Sequence, residues 1–134
     1  MDNLVLKQVT KYIVPCIQLF GIYVILNGHI SPGGGFAGGT IIASSIILKD
    51  VALGKASINF NQDHALKLIC ISLMTYGILK GYSFLSDTLH LPHPPIGTPG
   101  HILSGGFLLP LNILIGITVT STIFILYDLF SLKN

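Results

Sequence analysis

The chain has 134 residues, of which 51% are hydrophobic and only 9% charged, with a mean hydropathy of +0.77 and a formal net charge of +2. Soluble domains carry roughly 25% charged residues, so this composition excludes a water-solvated globule and points to one integral membrane domain over residues 1–134. All seven cationic residues are lysines, and no basic run stands beside aromatics, which excludes nucleic acid as a partner.

Four apolar runs approach the ~20 residues needed to cross the hydrocarbon of a bilayer, so the expected fold class is all-α with four transmembrane helices. The first run covers 9–26 and is entered past Lys7 and Lys11. Pro15 falls in its early turns, where a missing N–H costs least, and Gln18 is its one strongly polar interior residue. The run is too long for the apolar region of a signal peptide and no small-residue cleavage site follows, so it reads as a retained first span. Cys16 in this run and Cys70 in the third are expected to be buried, reduced packing residues.

Residues 27–39 hold six of the fifteen glycines. Gly33, Gly34 and Gly35 are adjacent and leave room for another backbone to approach. Gly35, Gly39 and Ala43 then recur every four residues, as do Gly34 and Gly38. Such a small-residue stripe lets membrane helices pack backbone to backbone. The expectation is a tight reversal followed by a helix gripped by its neighbours, from Gly34 or Gly35 to Lys49 and Asp50. Gly33 to Gly38 also fits G-x-G-x-x-G, but the run before it has bilayer length and no βαβ unit surrounds it, so no dinucleotide site is expected.

A polar connector over 54–63 leads to the third span, 65–85, which carries Lys80. A lysine inside a span is costly unless it is paired, hydrated or able to snorkel, and it marks a candidate functional position. Lys80 lies about five residues, roughly 7 Å, from the expected end of the span, within reach of snorkelling. Gly77 and Gly81 flank it at GxxxG spacing, which favours a neighbouring helix over lipid. Both readings stand; with no Asp or Glu at mid-span, a pairing carboxylate would come from another subunit, and a buried lysine that gains and loses a proton would suit a proton relay.

The connector 86–104 contains four prolines and three histidines. Asp87, His90, His93 and His101 can be drawn as a metal site, but a proline-rich loop without cysteine lacks the rigid framework of zinc sites, and a stiff outer lid is the expected reading. The fourth span, 105–130, contains Pro110, which withholds a hydrogen bond from Gly106 and should leave the span irregular at that end. Asn112, Gly116 and Thr120 make a second small or polar stripe at four-residue spacing. Two gripping faces on one small chain point to a subunit of a larger assembly.

Lys7, Lys11, Lys49, Lys55, Lys67 and Lys133 all fall on the side of the membrane that carries the termini, or at its edge. By the positive-inside rule both termini are expected in the cytoplasm, and the glycine turn and the His/Pro connector outside. No nucleophile–base pair, HExxH or paired carboxylate is present, so no active site, metal or cofactor is expected of this chain alone.

The string Gly28-His29-Ile30-Ser31-Pro32-Gly33-Gly34-Gly35-Phe36-Ala37-Gly38-Gly39 closely resembles the signature of the MnhB/MrpB family. These are the small B subunits of multisubunit Mrp-type sodium/proton antiporters, and the likeness extends over the chain in length and four-span layout. The segments Leu103-Ser104-Gly105-Gly106 and Pro110-Leu111-Asn112-Ile113 look like a variant found in membrane-bound hydrogenases and similar ferredoxin-linked complexes. The resemblance implies an accessory subunit in the cell membrane of a prokaryote. Its partners would be other small and large antiporter-like subunits, with Na⁺ and H⁺ as transported ions; hydrogenase or ferredoxin-oxidising subunits are the alternative. Gly28, His29, Pro32, Gly33, Gly34, Gly35, Phe36, Gly38 and Gly39 form the family motif and a candidate ion-path turn, in which freed carbonyls and the hydroxyls of Ser31 and Thr40 could offer oxygen to Na⁺. The bland reading of the same turn is close packing alone, in which case the chain is a structural adaptor.

Overall fold

The computed structural model describes residues 3–28, 30, 33–54, 61–92, 106 and 108–132. Within them the chain forms four helices, α1 (Leu4–Leu26), α2 (Gly34–Leu53), α3 (Gln62–Leu89) and α4 (Leu108–Leu132). All four are long and apolar enough to cross a membrane, and the chain is a multipass membrane protein. In lipid no water is available to the peptide groups, so a span must satisfy its hydrogen bonds internally, and a helix does so.

Helices α1, α2 and α3 outrun the apolar runs that announce them. At 1.5 Å per residue α3 extends about 42 Å, more than the ~30 Å hydrocarbon core. Its first residues, Gln62, Asp63 and His64, are polar, as are Ser86 to Thr88 just before its final Leu89. Because α1 begins at Leu4, Pro15 sits in mid-helix rather than in the early turns. Pro15 lacks an N–H, so the carbonyl of Lys11 receives no bond from it. At α4 the reverse applies. The helix begins at Leu108, so Pro110 is in its first turn, where the N–H would have no intrahelical partner anyway.

Antiparallel α1 and α2 form a hairpin through the glycine turn. Parallel to α2 lies α4, and α3 packs against α4. Thus α2 is held between α1 and α4, while α3 stands at one edge. Ala65, Ser72 and Ser86 are buried on α3, whereas Leu73, Met74, Ile78 and Phe84 are between 54% and 73% exposed on its other faces. Contrary to the sequence expectation, Cys16 and Cys70 are both exposed on the surface of the chain. Each lies on the outward side of its helix, since the inward sides are taken by Val14 and Gly21 on α1 and by Ser72 on α3.

For orientation, the end of the bundle that carries Lys7, Lys11, Lys49 and Lys67 is called the lysine end, and the opposite one the turn end. Among the described residues no group of three or more His, Cys, Asp or Glu side chains is placed to hold a metal ion. His93, His101 and the rest of 93–105 lie outside the described residues.

Candidate functional site

The glycine turn is the point where three helices meet. Asn27 closes α1 by donating its backbone N–H to the Tyr23 carbonyl at 3.0 Å, and its side-chain amide donates to the same oxygen at 3.0 Å. Gly28 donates to Ile25 at 3.2 Å and Ile30 to Asn27 at 3.0 Å, which turns the chain back. Gly33 (φ +104°) and Gly34 (φ +38°) both occupy the left-handed half of backbone space. L-residues avoid that region, so these two glycines are fixed by conformation. Helix α2 then starts with Ala37 donating to the Gly33 carbonyl at 3.1 Å.

Gly35 and the glycines beyond it are fixed by space instead. A Cβ on Gly35 would run into the carbonyl oxygen of Asn112 and lie 2.9 Å from Cβ of Ile115. On Gly39 it would lie 2.8 Å from the carbonyl oxygen of Gly116. These two glycines face α4. The alternate pair faces α1: a Cβ on Gly38 would collide with Ile25 and lie 2.8 Å from the Gly21 carbonyl oxygen. Two faces of one helix are therefore bare of side chains, each for a different neighbour. Ala43, the next position of the first stripe, is fully buried.

The partner residues complete the junction. Ile25 reaches from α1 over Gly38 to Gly116, where a Cβ would lie 2.7 Å from its Cδ1. Asn112 inserts its amide between strands of backbone: Nδ2 would be 2.8 Å from a Cβ on Gly28, and Oδ1 3.2 Å from one on Gly34. Thr120 donates its hydroxyl to the Gly116 carbonyl of its own helix at 2.8 Å and to the Gly39 carbonyl of α2 at 3.0 Å. Gly21 and Ile25 were not legible as members of this junction. The one available signal is that Val14, Gly21 and Gly28 recur every seven residues along α1.

Toward the lysine end α2 and α4 are joined again. Asp50, only 7% exposed, accepts a hydrogen bond from the Tyr127 hydroxyl at 2.9 Å. Gln62 of α3 donates to Asp128 of α4 at 2.7 Å. The second apolar run closes at Asp50, whereas α2 continues to Leu53 and the carboxylate turns inward.

The remaining sequence-derived positions fall outside this junction. Phe36 is 64% exposed and points away from the bundle. Thr40 donates its hydroxyl to the Ala37 carbonyl at 2.7 Å, within its own helix. Lys80 is exposed, and a Cβ on Gly77 or Gly81 would meet nothing within 4 Å. The Gly77/Gly81 face thus packs against no other part of the described chain, although its spacing is the same as that of Gly35 and Gly39. His29, Ser31 and Pro32 lie outside the described residues.

Among relatives, a protein of Staphylococcus saprophyticus named "Putative antiporter subunit mnhB2" is 36% identical over 77 residues, covering 56% of this chain and 55% of the relative. A protein of the same name from Staphylococcus aureus is 40% identical over 81 residues, covering 58% and 52%. An uncharacterized protein, MJ1307, of Methanocaldococcus jannaschii is 34% identical over 107 residues, 74% of this chain and 41% of its own. The chain spans about half the length of the staphylococcal relatives it matches. A family model described as a domain related to the MnhB subunit of Na⁺/H⁺ antiporters matches residues 5–125, from the first turn of α1 nearly to the end of α4, and the chain belongs to that family.

Proposed function

We propose that this chain is an accessory membrane subunit of a multisubunit Na⁺/H⁺ antiporter in the cell membrane of a prokaryote, helping to shape the ion path and to hold the complex together. The observation that carries this reading is the family match over residues 5–125, taken with the location of the family's glycine string. Of that string, Gly34, Gly35, Gly38 and Gly39 let α2 lie against both α1 and α4. The names of the staphylococcal relatives favour an antiporter over the membrane arm of a redox enzyme.

Two features support an accessory role. The only buried carboxylate among the described residues, Asp50, is already engaged by Tyr127 near a helix end. And the space around Gly34, Gly35 and Gly39 is filled by Asn112 and Gly116, which favours packing as the work of the turn, with any ion route bordering it rather than passing through it. The lysines at one end support termini in the cytoplasm.

The test is a tagged chain expressed with its sister subunits and purified in mild detergent. Antiporter-like subunits should co-purify, and vesicles containing the complex should show Na⁺-dependent proton movement that disappears when this chain is omitted. Recovery of the chain alone, or unchanged exchange without it, would refute the proposal.

A further inference from the structure

Along one side of the α1/α2 hairpin, two cavities lie in line. The first, about 480 Å³, is at the lysine end, and Lys11, Pro15, Gln18 and Lys49 are among its walls. The second, about 420 Å³, lies further toward the turn end, and its walls include Ile22, Leu26, Ile42, Ile46, Ile113 and Ile117. Lys11, Pro15, Gln18, Ile22 and Leu26 succeed one another at steps of three or four on α1, as do Ile42, Ile46, Lys49 and Leu53 on α2. Residues so spaced share one face of a helix, so the two cavities are successive parts of one groove. Its mouth is cationic and its interior aliphatic.

We propose that this groove holds one anionic phospholipid of the leaflet at the lysine end. The phosphate sits with the ammonium groups of Lys11 and Lys49, and an acyl chain lies along Ile22, Ile42, Ile46 and Ile117. Three observations select this occupant. Among the described residues no carboxylate pairs with Lys11 or Lys49, and Asp50, next to Lys49, is engaged by Tyr127 of α4. From Lys11 to Ile22 is eleven residues, about 16 Å along the helix, close to the ~15 Å depth of one leaflet's hydrocarbon. Of the two polar wall residues at the apolar end, Thr120 already donates its hydroxyl to two backbone carbonyls, and Ser121 is buried at 2% exposure. A ligand with one anionic end and an unbranched apolar body satisfies both halves, and basic pockets between membrane helices take lipid head groups in this way.

The test uses the purified complex in nanodiscs of equal parts phosphatidylcholine and phosphatidylglycerol, with lipid retained after a detergent wash counted by native mass spectrometry. The complex should retain phosphatidylglycerol over phosphatidylcholine by about tenfold or more, as two lysines near a membrane surface would give. Lys11→Gln with Lys49→Gln should abolish that preference, whereas Lys67→Gln on α3 should leave it intact. Ile46→Trp, which fills the groove without touching the lysines, should displace the lipid from an assembled complex. A wild-type complex with no preference, or a double variant that keeps it, overturns the proposal. So does a photoreactive residue in place of Ile22 that cross-links to a sister subunit instead of lipid.

Discussion

Asp50 and Tyr127 meet in the same register as Gly35 and Asn112: each pair is separated by 77 residues, and so are Gly39 and Gly116. Helices α2 and α4 therefore run parallel and in step from the glycine turn to the Asp50 hydrogen bond, fifteen residues or about 23 Å. At one end the step is set by backbone resting on backbone. At the other it is set by a phenol donating to a buried carboxylate. In lipid there is no hydrophobic drive between helices, so close packing and such interhelical bonds supply the association.

Tyr127→Phe should remove the hydrogen bond that Asp50 accepts and leave a buried carboxylate short of a partner, at a cost of about 1–3 kcal/mol. Asp50→Asn keeps an acceptor for the Tyr127 hydroxyl and should cost less. Thermal unfolding of the purified protein in detergent measures both. An equal or smaller loss in Tyr127→Phe than in Asp50→Asn contradicts the assignment.

Thr120→Val deletes the side-chain hydrogen bond from α4 to the Gly39 carbonyl of α2, and should lower stability by about 0.6–1 kcal/mol, the usual worth of an interhelical bond in a membrane. Gly39→Leu should do far more, because its side chain must displace the Gly116 backbone rather than a flexible tip. Folded chain recovered after solubilisation should be near normal for Thr120→Val and nearly absent for Gly39→Leu. Comparable recovery of the two would show that the helices are not in backbone contact.

Gly77→Leu and Gly81→Leu provide the contrast. Their Cβ positions face open space, and substitutions at open surface sites generally stay within about 0.5 kcal/mol. The chain itself should remain as stable as the wild type. If a helix of another subunit packs beside Lys80, as the GxxxG spacing suggests, the same variants should lower recovery of the complex several-fold. Stability loss in the isolated chain would mean that this face is already used within it.

Much of the fold was legible because the bilayer makes a simple demand. A span must be apolar for about 20 residues, and the four runs at 9–26, 34–50, 65–85 and 105–130 meet it. The ends were less legible, since α1 and α3 continue beyond the hydrocarbon, where polar and apolar residues are both tolerated. The stripes Gly34–Gly38 and Gly35–Gly39 were readable as gripping faces, yet spacing says nothing about which neighbour does the gripping. Gly77 and Gly81 show this plainly, having the same spacing and no intrachain neighbour. Ile25 and Gly21 were invisible for the converse reason: in an apolar helix one isoleucine or a lone glycine carries no signal until its partner is in place. Asp50 looks like an end marker in the sequence because its inward turn depends on Tyr127, 77 residues away.

On the proposed function, this chain acts only as part of an assembly. The direct measurement is proton movement on addition of Na⁺ to liposomes holding either the purified chain alone or the intact complex. No exchange is expected from the chain alone, and Na⁺-driven exchange is expected from the complex. Exchange catalysed by the solitary chain would contradict it.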